Sequence, residues 1–158
     1  MMAGPANYDV GIVGLGYVGL TLATVLAEAG NAVIGVEKRP DIVEMTNAGN
    51  PHFTETGLPD ALAGVTKSKK LVAAERFDGS FSCDTYIITV GTPLSGTGAA
   101  RLDMIEAAAG QVAANMQDGA LIVLRSTVKV GTTRRVPPDH HCWVVVPTNS
   151  ITPSWAVA

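Results

Sequence analysis

The sequence predicts an α/β domain built on a doubly wound parallel sheet. Three observations carry that expectation. Short apolar or β-branched runs alternate with amphipathic stretches along most of the 158 residues. The runs are apolar at successive positions, which suits strands buried on both faces. And Gly14-Leu15-Gly16-Tyr17-Val18-Gly19 stands between the first apolar run and the first amphipathic one, with Glu37 downstream.

Tyr8 to Val13 reads as a buried strand, Val18 to Ala29 as a helix, and Asn31 to Val36 as a second strand with Glu37 at its end. A strand, a GxGxxG turn, a helix and an acidic residue roughly 20 positions past the glycines form the βαβ unit of a dinucleotide site, that is, a Rossmann-type domain. Each glycine has its own task. Gly14 permits the tight turn out of the strand, Gly16 leaves room for backbone to approach a pyrophosphate, and Gly19 lets the helix pack close to the sheet. The helix start adds N–H groups and a positive dipole end. Glu37 would accept hydrogen bonds from the adenosine ribose hydroxyls and repel a ribose 2′-phosphate, which favours NAD over NADP. Lys38 and Arg39 pull the other way, because a basic pair could hold that phosphate. The plain alternative is a strand–helix turn with no ligand.

Pro40 suits the first turn of the next helix, which Asp41 to Ala48 continues with Ile42, Val43 and Met45 available for burial. Gly49-Asn50-Pro51 ends it. Leu58 to Ala63 reads as a short helix, Lys70 to Ala74 as a weak third strand, and Gly79 to Asp84 as a turn. Thr85 to Val90 is a strong fourth strand. A glycine-rich loop follows from Gly91 to Gly98, then a helix for which Asp103 and Glu106 could form a capping box. Ile105, Ala108, Ala109, Val112 and Met116 share one face of that helix. Gly119 stops it, and Ala120 to Leu124 is a fifth strand.

In such a sheet ligands sit outside the carboxyl ends of the strands, near the switch point. The Gly14–Gly19 turn, the Gly91-Thr92-Pro93-Leu94 loop and Ser126-Thr127-Val128 converge there. Ser126 and Thr127 could bond cofactor or substrate, or cap the next helix.

The totals exclude several classes. Apolar residues make up 47% and charged ones 16%, a composition that folds around a core and is not that of a disordered chain. A net charge of −3 argues against a nucleic-acid binder. The short basic cluster Lys67, Lys69 and Lys70 reads as a solvated turn. Two cysteines, Cys83 and Cys142, make neither a disulfide framework nor a metal spacing. No apolar run is long enough for a membrane span and the N-terminus lacks a signal pattern, so the expected location is cytoplasmic, with no membrane partner.

Taken together, Val13-Gly14-Leu15-Gly16-Tyr17-Val18-Gly19-Leu20, Val90-Gly91-Thr92-Pro93-Leu94, and Ser126-Thr127-Val128 with Gly131-Thr132-Thr133 make the chain resemble the N-terminal domain of the UDP-glucose/GDP-mannose dehydrogenase family. Pro51-His52-Phe53-Thr54-Glu55-Thr56-Gly57-Leu58 is similar to the family segment that ends in Glu-Pro-Gly-Leu. The order and spacing match over residues 8 to about 136.

That resemblance implies oxidation of the C6 alcohol of a nucleotide-diphosphate sugar to a carboxylate, using two NAD and a thiohemiacetal on a catalytic cysteine. It implies that Gly14 to Gly19, Glu37, Lys38, Gly91, Thr92, Pro93, Ser126 and Thr127 attend the cofactor. Thr127 would also help to hold the catalytic water. His52-Phe53 before Glu55 looks more like the N-acetylhexosamine branch; the plain alternative for His52 is a surface loop histidine.

The chain departs from the family at Thr56 and Val130, each standing for a proline. The larger departure is Pro137-Pro138-Asp139-His140-His141, where the family continues into a helix. Residues 1–136 are therefore expected to form the NAD-binding domain. Residues 137–158 would be an atypical tail that could hold a short sixth strand at Cys142 to Pro147. The sheet is expected to stop after about the fifth or sixth strand, as in a truncated or frame-disrupted member. The family's loop glutamate, lysine, asparagine and nucleophilic cysteine have no counterpart here. Cys83 reads as an inert structural thiol. Cys142 beside two histidines reads as part of a random tail rather than as a nucleophile or metal ligand. The chain alone is expected to bind NAD without turnover, and copies could associate through the face the missing part would cover. The competing readings are a non-catalytic NAD-sensing module, a hydroxyacid- or acyl-CoA-type dehydrogenase, and a domain without ligand.

Overall fold

The computed structural model describes residues 6–92, 102–126, 143–146 and 150–153, the last two segments as backbone only. The elements run β1 Ala6–Val13, α1 Tyr17–Glu28, β2 Val33–Val36, α2 Pro40–Asn47, α3 Leu58–Lys67, β3 Leu71–Ala74, β4 Phe81–Ile88, α4 Asp103–Asn115, β5 Leu121–Leu124, β6 Trp143–Val146 and β7 Ser150–Pro153. They form one sheet in the order β3-β2-β1-β4-β5-β6-β7. Every neighbouring pair from β3 through β6 is parallel, and β7 closes the far edge antiparallel to β6. Strand order reverses between β1 and β4, so the crevice of a doubly wound fold lies above that pair.

The helices cover both faces, which is why β2, β3 and β5 carry apolar residues at successive positions. One core layer joins Ile12, Leu15, Leu20, Ala23, Val33, Ile42 and Leu62 beneath α1, α2 and α3. The other joins Ile34, Val36, Tyr86, Ile88, Ile105, Val112 and Leu124 beneath α4. β2 shows the division: Val33 faces the first layer, Ile34 and Val36 the second. Between them Gly35 leaves room for Leu15, whose side chain would lie 2.6 Å from a Cβ there.

Most of the expected elements are present, within a residue or two. The predicted face of α4 is the one observed: Ile105, Ala108, Ala109, Val112 and Met116 are all buried. Five local expectations are corrected. Phe81 to Asp84 is strand rather than turn, because Ala6 to Tyr8 extends β1 backwards and pairs with Phe81 to Cys83. α3 runs past Ala63 and Gly64 to Lys67, drawn on by Val65, which is buried. Met45 is exposed and Thr46 takes the inward place, since 42, 43 and 46 share one helical face. Leu102, not Asp103, is the N-cap of α4, with no side-chain cap; this puts Asp103 and Glu106 inside the first turn and displaces the expected box. And β7, which the sequence reading did not include, follows β6.

Candidate functional site

The turn between β1 and α1 is held from three sides. Gly14 adopts φ +95°, a conformation open to glycine, and its N–H donates to the Val36 carbonyl at 2.8 Å. Its carbonyl accepts the Thr89 hydroxyl at 2.7 Å, and the Thr89 N–H donates to the Val13 carbonyl at 2.9 Å. Gly19 is fixed by packing: a Cβ there would fall 1.9 Å from the Gly14 carbonyl oxygen. Gly16 differs from both. It is extended, at the N-cap of α1, and a Cβ on it would meet nothing within 4 Å. No protein atom demands a glycine there; the space it leaves is the cleft itself.

That cleft holds about 370 Å³. Gly14 and Gly16 form its floor and Val36, Glu37 and Lys38 one wall. Thr89, Val90 and Gly91 form the loop side, while Met104, Ala107 and Gln111 of α4 lie opposite. It lies at the switch point, where topology alone would place a ligand. α1 has neither a side-chain cap nor an acidic residue in its first turn, so an anion in the cleft would complete that helix end.

Glu37 is half-buried where β2 ends. Its Oε2 accepts the Leu15 N–H at 3.0 Å and its Oε1 accepts the Arg39 N–H at 3.1 Å. The carboxylate is thus oriented from both sides, with lone pairs left for ribose hydroxyls. Leu15 contributes only that N–H, because its side chain is wholly buried in the core. Lys38 is exposed on the rim. The Arg39 side chain is turned onto Asp41.

Tyr17 and Val18 are 57% and 50% exposed. The Tyr17 ring packs on Phe53 with centroids 4.7 Å apart, and its hydroxyl donates to the Glu55 carboxylate. This bond and the negative charge of Glu55 hold the phenol above its usual range. His52 is half-buried, edge-on to Phe53 at 4.9 Å, and its buried Nδ1 has no hydrogen-bond partner.

Ser126 is buried and its hydroxyl donates to the Val90 carbonyl at 2.7 Å, tying the end of β5 to the β4–α4 loop. Gly91 borders the cleft and Thr92 is half-buried beside it. Pro93, Leu94, Thr127 and Val128 lie outside the described residues, as do His140, His141 and Cys142. Cys83 is buried, and desolvation pushes its thiol up to about 12. Sequence reasoning missed Thr89, the α4 wall and Glu75, which also lines the cleft. Thr89, as the first polar residue after a buried strand, was the one of these with a readable signal. Among the described residues no three or more histidine, cysteine or carboxylate side chains gather as a metal site, and no helix is long and apolar enough to cross a membrane.

The sequence profile of the UDP-glucose/GDP-mannose dehydrogenase family, NAD binding domain, matches residues 8–140. The chain belongs to that family. The matched part is the family's NAD binding domain, and the residues present fit NAD: an open glycine below the cleft, a bare helix end for the diphosphate and an oriented carboxylate for the ribose. Among relatives, a UDP-N-acetyl-D-mannosamine dehydrogenase from Pyrococcus horikoshii is 34% identical over 127 residues, covering 80% of this chain and 30% of the relative. A UDP-glucose 6-dehydrogenase from Pseudomonas aeruginosa is 35% identical over 126 residues, covering 79% and 28%. The solved structure of a UDP-glucose dehydrogenase from Pyrobaculum islandicum superposes with TM-score 0.76 at 33% identity, covering 92% of this chain and 37% of that one. The chain thus spans about a third of the length of the family members it matches.

Proposed function

We propose that this chain supplies the NAD-binding half of a nucleotide-sugar 6-dehydrogenase, an enzyme that oxidises the C6 alcohol of a UDP-sugar to a uronic acid. The observation that carries the reading is Gly16. It is the one glycine of the turn that the protein's own packing does not require, and it opens on a cleft whose wall holds Glu37. Family membership and the names of the relatives support the reaction class.

Bound NAD supplies a hydride acceptor. This chain's residues bind and orient it. The first turn of α1 receives the diphosphate, Glu37 accepts the ribose hydroxyls, and Val36, Ala107 and Gln111 give the cleft an apolar wall with one amide. Thr92, Pro93, Ser126 and Thr127 would border the nicotinamide half, with Thr127 helping to hold the catalytic water. Cys83 is unsuited to be the nucleophile: it is buried between β1 and α4 and its proton is held to about pH 12. His52 and Phe53 favour an N-acetylhexosamine as the sugar. The proposed location is the cytoplasm.

Calorimetric titration with NAD tests the reading. Binding in the micromolar to millimolar range that Gly16→Val abolishes is expected, and no heat at millimolar NAD would overturn it. With NAD and a UDP-sugar, the 158-residue chain is expected to produce no NADH. Steady NADH production would show that the chain carries a complete reaction centre.

A further inference from the structure

Two cations follow the ribose-holding carboxylate, and the structure treats them differently. Lys38 borders the cleft. Arg39, the N-cap of α2, has its backbone at the rim, where its N–H donates to Glu37, but its guanidinium is folded away onto Asp41. That contact is two-pronged: Nη2 donates to Oδ2 at 2.5 Å and Nε to Oδ1 at 3.2 Å. Asp41 lies in the first turn of α2, where the helix dipole also favours a carboxylate.

We propose that Asp41 is a specificity residue for the dinucleotide: by holding the Arg39 guanidinium it denies NADP the cation its 2′-phosphate needs. The inference rests on the NAD site described above. A phosphate on the ribose 2′-oxygen adds negative charge beside Glu37, and an arginine just past the strand is the residue best shaped to neutralise it. Arg39 stands at that place in the sequence. Lys38 offers only a hydrated point charge on a flexible stem. Removing Arg39 from the cleft therefore leaves Glu37 facing the 2′-position without a forked cation to offset it.

The two side chains are 61% and 58% exposed, so their hold on one another is modest. Glu37 sets the main barrier to NADP and Asp41 a second, smaller one. A pair serving only to start α2 would look similar in the structure, but it would respond differently to substitution.

The test is a double-mutant cycle on NADP and NAD affinity by calorimetry at low salt, in the 158-residue chain. Asp41→Asn is expected to tighten NADP roughly fivefold while leaving NAD within about twofold. Arg39→Ala alone is expected to leave NADP unchanged, because Arg39 is already occupied. Combined with Asp41→Asn it should erase the gain, and the gain should shrink as salt rises. An NADP-to-NAD ratio in Asp41→Asn equal to that of the starting protein would overturn the proposal, as would a gain that survives the loss of Arg39. In both outcomes NAD still binds, so the site itself stands. Loss of NAD binding by the starting protein would bring down both.

Discussion

Gly16 and Gly19 illustrate how one residue type in one motif serves two physical ends. At Gly19 an added Cβ would sit 1.9 Å from the Gly14 carbonyl oxygen and 2.7 Å from the Thr89 hydroxyl, so helix and turn must part. Gly19→Ala is expected to cost about 3 kcal/mol or more in stability, read as a lowered denaturant midpoint. At Gly16 the backbone is in a region any residue adopts and no protein atom lies near. Gly16→Val should leave the midpoint nearly unchanged and abolish measurable NAD binding. Equal loss of stability in both variants would refute this division. Cys83 and Tyr86 give a pH prediction. Burial pushes the thiol from 9.0 and the phenol from 10.0 each to about 12. Both folded forms hold their protons longer than the unfolded chain does. Their contribution is complete below about pH 9 and falls as pH rises from there towards 12. Urea unfolding across that range should show falling stability, with an onset nearer 10 in Cys83→Ala; an unchanged onset would exclude the thiol as its source.

At the scale of elements, what the sequence reveals is what local patterning controls. Apolar runs located every strand from β1 to β5, and the glycines with Glu37 marked residues that line the cleft, because strand burial and turn chemistry are written in neighbouring residues. The misread boundaries depend on partners far along the chain. Phe81 is strand only because Ala6 lies opposite it, and Val65 extends α3 past Gly64 only because the core needs it. The carboxylate of Glu37 could be foreseen at the end of β2 but not on the Leu15 N–H, a contact spanning 22 residues that exists once β1 and β2 pair. Asn47 belongs with these. At the end of α2, its side-chain amide donates to the Ala73 carbonyl at 2.9 Å and accepts the Ala73 N–H at 2.8 Å. It occupies part of the outer edge of β3, where a strand would otherwise offer unpaired backbone groups. Asn47→Ala should cost about 1–2 kcal/mol and speed hydrogen exchange at Ala73. Slow exchange at that amide in the variant would show the edge is protected by something else.

The molecule as a whole couples cofactor and fold through one place. The cleft is assembled from the ends of β1, β2 and β4 and from α4, so NAD would bridge the two halves of the sheet across the strand reversal, above the core layer beneath α4. A ligand so placed binds the folded chain and not the unfolded one. At one hundred times its dissociation constant it should add ~2.7 kcal/mol, or roughly 5–10 °C in the melting midpoint for a domain of this size. The same linkage separates site from surface. Gly16→Val should melt where the starting protein does without NAD and show almost no shift with it. Asn47→Ala should melt lower and still gain the full shift. If NAD raised the midpoint of Gly16→Val as much as that of the unaltered chain, the dinucleotide would not rest on the β1–α1 turn. The cleft at the switch point would then have to serve some other ligand.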